Sequence, residues 1–187
     1  AGDGGVKPPS RAHAQSARRP LLSVADAFST LSVERRHQQW HTKPMLDEPA
    51  LRLGGLSIWV DGKQFPAADC YDGNWLNVRA RMEAPSATVK CAGSILMTTD
   101  VDQFRKELES LGATLTGEAT LSSFEPELKV TLKGQRLGHI EAEVEITPDH
   151  VTQYHRFTLD LDQSYLPALV AGCEAILERF PIVVPRS

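Results

Sequence analysis

The sequence has no run approaching 18 uninterrupted apolar residues, and its opening lacks a basic segment followed by an apolar one. This argues against a membrane-spanning helix and against an uncleaved secretory signal. Cysteine is scarce: Cys70, Cys91 and Cys173 are far apart with no CxxC pair, so neither a disulfide framework nor a thiolate zinc site is suggested, and the expected compartment is the reducing cytoplasm. No GxxxxGK[ST], GxGxxG, GxSxG or HExxH occurs, which removes the commonest local signatures of phosphate binding, serine hydrolysis and zinc proteolysis. Internal repeats are lacking too. What remains is an ordinary soluble composition: 187 residues, 41% hydrophobic, 24% charged, formal charge -4. A chain of this length buries enough surface to fold without a cofactor or metal, and none is expected.

The charge is unevenly spread. Residues 1–45 hold seven basic side chains against three acidic, a net +4, whereas the rest of the chain holds 13 against 21, a net -8. The opening AGDGGVKPPSRAHAQSARRP has almost no large apolar side chain and cannot offset its ordering entropy, so 1–45 reads as a basic, disordered leader or linker. Its Arg-rich, acid-poor character is also that of an organelle transit peptide. Within it Leu21, Leu22, Val24, Phe28 and Leu31 allow one short amphipathic helix, and His37 and His41 stand at i,i+4 without a third ligand nearby. Strongly patterned, acidic sequence follows Met45, and residues 46–187 are expected to form a single domain. Its net -8 argues against a phosphate-tracking nucleic-acid surface.

From Leu56 onward the apolar period is two. Leu56, Ile58 and Val60 alternate with polar neighbours, as do Leu76, Val78, Ala80 and Met82, then Val89 and Cys91. The alternation returns at Ala119 and Leu121, at Leu128 to Leu132, at Ile140 to Ile146, and from Val151 through Phe157 to Leu161. One-face polarity of this kind favours antiparallel pairing. Two segments have helical spacing instead. Val101, Phe104, Leu108 and Leu111 follow a cap at Thr99 with Asp102 three residues on, and stop at Gly112. Leu166, Leu169, Val170, Cys173, Ile176, Leu177 and Phe180 form the second stripe, starting near Asp162 or Ser164 and ending before Pro181. The expected fold is α+β: a curved antiparallel β-sheet of seven to eight strands packed by one mid-chain and one C-terminal helix.

Chemistry is sparse. In PheProAlaAlaAspCysTyrAspGlyAsnTrpLeu, residues 65–76, Asp69 and Asp72 offer a carboxylate pair and Cys70 a nucleophile, but Asp72, Gly73 and Asn74 have turn chemistry, and Trp75 is expected to start a core strand. In PheGluProGluLeuLysValThrLeu, residues 124–132, Glu125 and Glu127 bracket Pro126 and are expected on the solvated face with Lys129 and Thr131. His139, His150 and His155 lack ligand spacing. The stripe Glu141, Glu143, Glu145, joined by Asp160 and Asp162 on a later strand, presents a carboxylate-rich face suited to a basic protein partner, or simply a solvated face resistant to aggregation.

These segments, with PheThrLeuAspLeuAsp at 157–162 and a helix ending in ArgPhePro, resemble the WapI-type immunity protein family over about Leu51 to Pro181. The resemblance implies a cytoplasmic α+β protein that binds and masks a toxin domain without catalysis. On that basis no catalytic residue is expected, and the expected partner is a basic, nuclease-type toxin domain meeting Glu141, Glu143, Glu145, Asp160 and Asp162, with Trp59 and Tyr71 as apolar contacts. The rival reading is a small-ligand or enzymatic domain using the sheet as a cup, with Asp69, Asp72 and Glu125 at its mouth. A general protein-interaction domain is the third.

Overall fold

The structure is a computed structural model that describes Gly2 and residues 48–184; the leader expected at 1–45, its amphipathic segment and its histidine pair lie outside the described residues. Four strands come first: β1 (Leu51–Leu53), β2 (Leu56–Lys63), β3 (Trp75–Ala84) and β4 (Ala87–Met97). They pair antiparallel in chain order as sheet A. The two-residue turn between β1 and β2 requires glycine twice. Gly54 adopts φ +53, and a Cβ on Gly55 would collide with the Glu83 carbonyl oxygen.

Helix α1 (Thr98–Thr114) follows, then β5 (Glu118–Leu121), β6 (Leu128–Gly134), β7 (His139–Ile146) and β8 (Arg156–Asp162), and finally α2 (Tyr165–Arg179). Strands β5 to β8 pair antiparallel in chain order as sheet B. The eight strands and two helices of the α+β expectation are all present, with the strands divided into two four-stranded sheets rather than one. The division falls where α1 interrupts the chain, because a four-turn helix carries it away from the edge of β4 before β5 begins. The apolar faces of both sheets and the stripes of both helices, Val101, Phe104, Leu108, Leu111, Leu166, Leu169, Cys173 and Ile176 among them, form one continuous core.

Three local expectations are corrected. Helix α1 is capped at Met97 rather than Thr99, because the Asp100 carboxylate accepts the Met97 N–H at 2.8 Å. It also runs through Gly112. The left-handed residue that ends it is Leu115, at φ 54, whose side chain packs against the core and offsets the conformational cost. The last strand starts at Arg156, not Val151. Asp149 takes the backbone N–H of Val151 (3.0 Å) and the Thr152 hydroxyl (2.7 Å) into a side-chain-closed turn, so the apparent alternation over 151–155 is not strand.

Candidate functional site

The 65–76 motif folds as a closed loop between β2 and β3. Gln64 N–H donates to the Trp75 carbonyl (2.9 Å), Ala68 N–H to Phe65 (3.1 Å) and Gly73 N–H to Cys70 (3.0 Å), and Tyr71–Asn74 makes one 3-10 turn. Its centre is Asn74, 1% exposed. The Asn74 carboxamide donates to the carbonyls of Tyr71 (3.2 Å) and Val183 (2.9 Å), while its oxygen accepts the Val183 N–H (2.8 Å) and the Thr98 hydroxyl (2.6 Å). One side chain therefore joins the loop, the start of α1 and the C-terminal segment 181–184. Lys63 adds a fourth point, donating to the Pro181 carbonyl at 2.6 Å.

This arrangement corrects the role expected of Trp75. In β3 the core positions are Leu76, Val78, Ala80 and Met82, and Trp75 shares the other face with Asn77 and Arg79, only half-buried. The structural weight of the motif rests on Asn74. Asp69, Cys70, Tyr71 and Asp72 are all exposed. Among the described residues neither the Asp69 nor the Asp72 carboxylate has a hydrogen bond or ion pair, so these side chains neither brace the turn nor act as a coupled carboxylate pair, and Asp72 closes the turn through its backbone carbonyl, which accepts the Trp75 N–H.

On the outer face of sheet A, Arg79 forms a two-pronged contact with Asp61 (2.7 and 2.9 Å) and lies 5.4 Å above the Trp59 ring. Trp59 is thus partly covered by a guanidinium already held by a carboxylate.

The acidic stripe lies on the outer face of sheet B as the alternation requires, but its members differ. Lys129 stands opposite Glu145 in β6, and Arg156 stands opposite it in β8. Lys129 approaches Glu145 at 3.8 Å, while Arg156 approaches Glu143 at 3.4 Å and Glu145 at 3.8 Å. The Tyr154 hydroxyl donates to Glu145. At the other end Glu141 faces Asp160 across the β7–β8 ladder, a like-charge pair, and the Lys133 that faces it from β6 has its ammonium 3.5 Å from Glu118 instead. His139 lies 3.4 Å from Asp160. Asp162 takes the Ser164 N–H at 2.7 Å at the entry to α2, and its contacts with Ser164 hold its carboxyl below the usual carboxylate range. Beside this end the β6–β7 turn places Leu137 at φ 62 and 98% exposed.

Glu125 and Glu127 do not share a solvated face. Glu127 precedes β6 and is buried, its carbonyl accepting the Thr147 N–H at 2.8 Å, and only Glu125 reaches the surface region, beside exposed Phe124. Nearby Glu127 adds to the desolvation that pushes the Cys91 thiol up to about 12; burial does the same to Cys173. Both thiols are therefore poor nucleophiles.

The proposed cup is filled. Between β1, β2, α1 and sheet B the space lined by side chains such as Phe104, Leu121 and Leu169 is about 10 Å³. Asp69 and Asp72 lie on a loop of sheet A and Glu125 on a loop of sheet B, so no common mouth joins them. A shallow apolar groove of about 650 Å³ does lie between α1 and α2, floored by Leu108, Leu115, Leu166 and Val170 with Glu109 and Glu174 at its rim. Among the described residues no three His, Cys, Asp or Glu side chains gather as a metal site, and no helix is long and apolar enough to cross a membrane.

Phe65, Leu137, Ile182 and Val184 were not singled out by sequence patterning. Only Leu137 had a usable signal, a large apolar residue in a turn where Gly or Asn would be expected. Comparison with known proteins gives one match: the family model described as the immunity protein WapI-like family covers residues 51–181, well over half the chain. No curated protein and no solved structure matches.

Proposed function

The chain belongs to the immunity protein WapI-like family, and from that premise we propose that it acts in the cytoplasm as a non-enzymatic binder that occludes a basic, nuclease-type toxin domain. The observation that carries the charge argument is the Glu141–Asp160 pair. Like charges directly opposite on neighbouring strands destabilise a sheet, and this pair lies beside an exposed Leu137, with the ammonium of the facing Lys133 turned to Glu118 and His139 at 3.4 Å from Asp160. Stability alone does not account for it; a cationic partner does.

Of the stripe, Glu143 and Glu145 are committed to Lys129 and Arg156, so the steering field is concentrated at Glu141 and Asp160, with Asp162 adding charge while it caps α2. Opposite-charge steering raises association towards roughly 10⁸ M⁻¹s⁻¹ at low salt and fades as ions screen it. The test is association rate against ionic strength for the parent and for Glu141→Gln with Asp160→Asn, using as the probe for a toxin domain the product of the reading frame that adjoins this chain's own. A shallower salt slope in the double variant is expected. Equal slopes overturn the steering role, and failure of the parent to bind or inhibit the toxin domain overturns the occlusion reading.

A further inference from the structure

We propose that the loop 65–72 together with the C-terminal segment 181–184 is the anchoring face on which this chain holds its partner, and that the partner presents there an apolar recess rimmed by Lys or Arg. The proposal rests on the toxin-binding reading and names the face that carries it. Four large apolar side chains lie in this one cluster: Phe65 (45% exposed), Tyr71 (48%), Ile182 (38%) and Val184 (77%). Scattered single apolar residues need no explanation, but several in one loop cluster mark a contact surface, and aromatic anchors dominate such surfaces.

The segment is held in place before any partner arrives. Val183 turns inward, with its Cγ2 3.1 Å from where a Cβ on Gly73 would lie, and its backbone is paired in both directions with Asn74. Its neighbours Ile182 and Val184 are the residues left outside. Because this ordering is already complete in the free chain, association does not have to supply it, and the contact surface can be turned into affinity.

The charge selects the partner. The Asp69 and Asp72 carboxylates are exposed without hydrogen bond or ion pair among the described residues, and Lys63, at the start of this loop, is committed to the Pro181 carbonyl. Two carboxylates without a cation among the described residues repel phosphate, which disfavours nucleic acid and anionic membrane. A protein surface bearing cations around an apolar recess matches both features.

The experiment measures binding of the same toxin domain by the full chain. The variants are Phe65→Ala with Tyr71→Ala, Asp69→Asn with Asp72→Asn, Val184→Lys and Val184→Glu, with circular dichroism and thermal midpoint as the check of folding. The aromatic pair is expected to raise Kd by at least about thirtyfold, the corresponding change for loss of a hot spot, through faster dissociation. The Asp pair should slow association several-fold at low salt, and Val184→Lys should weaken binding more than Val184→Glu. The two Val184 changes lie on an exposed side chain and keep the test valid if the aromatic variant folds poorly. Unchanged Kd in the aromatic variant, or equal losses for the Lys and Glu variants, overturns the anchoring face while leaving toxin binding intact. Failure of the parent to bind overturns both. Concentration-dependent self-association of the parent, abolished by the aromatic substitutions, reassigns the face to a second copy and overturns the proposal.

Discussion

Two surfaces of this molecule carry carboxylates, and they differ in what those carboxylates touch. On sheet B, Glu145 stands in register with Lys129 and Arg156, and Arg156 also reaches Glu143 diagonally, so much of the apparent charge is spent within the sheet. In the loop 65–72, Asp69 and Asp72 touch no cation among the described residues, and exposed Phe65 and Tyr71 stand beside them. A stripe of three glutamates is easier to see in a sequence than two separated aspartates, yet the aspartates have more charge to offer. What counts for recognition is the charge left after neighbouring strands have paired, and cross-strand register decides that.

The largest expected effect sharpens the loop side of the contrast. Asn74→Ala removes four hydrogen bonds, leaves the buried Thr98 hydroxyl and the Val183 N–H without their acceptor, and should cost about 3 kcal/mol in urea melts. Half-buried Trp75→Ala should cost about 1 to 2 kcal/mol, below the range for truncating a fully buried aromatic. The reverse order would return the weight of the motif to Trp75.

A smaller effect breaks the contrast from the sheet side. Arg156→Gln releases Glu143 and Glu145 from their shared cation, so association with a cationic toxin domain should speed up about twofold at low salt. The folding midpoint should move little, since Arg156 and its pair with Glu143 lie largely in solvent and Glu145 keeps Lys129. A slower or unchanged rate would mean that the β7 face does not contribute to steering.

The pH response follows from the depressed carboxyls. Asp149, held mainly by the Thr152 hydroxyl, and Asp162, held mainly by Ser164, have folded values below their unfolded ones. Their contribution is therefore present above the ordinary Asp value near pH 3.9 and is lost as pH falls through the lower folded value. Thermal midpoints recorded from pH 6 downward should fall less steeply for Asp149→Asn and Asp162→Asn than for the parent.

The smallest effect is a stoichiometry. Cys70 is exposed in the loop, whereas Cys91 and Cys173 are buried with thiols pushed up to about 12. A disulfide reagent at pH 8 should modify Cys70 alone in the native chain and all three cysteines after denaturation.

The strands and helices were legible because their apolar residues obey a single period. Leu56 to Val60, Leu76 to Met82 and Ile140 to Ile146 each bury one face as read. Pattern failed where a side chain outcompeted the ladder or the helix. Asp149 closed a turn over a segment that alternated like a strand, and Asp100 moved the cap of α1 to Met97. The candidate site was less legible. Asn74 reads as a turn residue, and nothing local announces that its partners are Val183 and Thr98, 109 and 24 residues away. Likewise, the neutralisation of Glu145 depends on Lys129 and Arg156, which only the register brings opposite it.

On the proposal made above, the partner settles on the loop and C-terminal segment rather than on the paired face of sheet B. Amide hydrogen exchange of the full chain, alone and with a stoichiometric amount of the toxin domain, tests it directly. Slowed exchange at 65–74 and 181–184 is expected, with the Glu143–Glu145 stretch of β7 unaltered. Protection confined to β7 and β8, or to the groove between α1 and α2, with 65–74 and 181–184 exchanging as in the free chain, would contradict it.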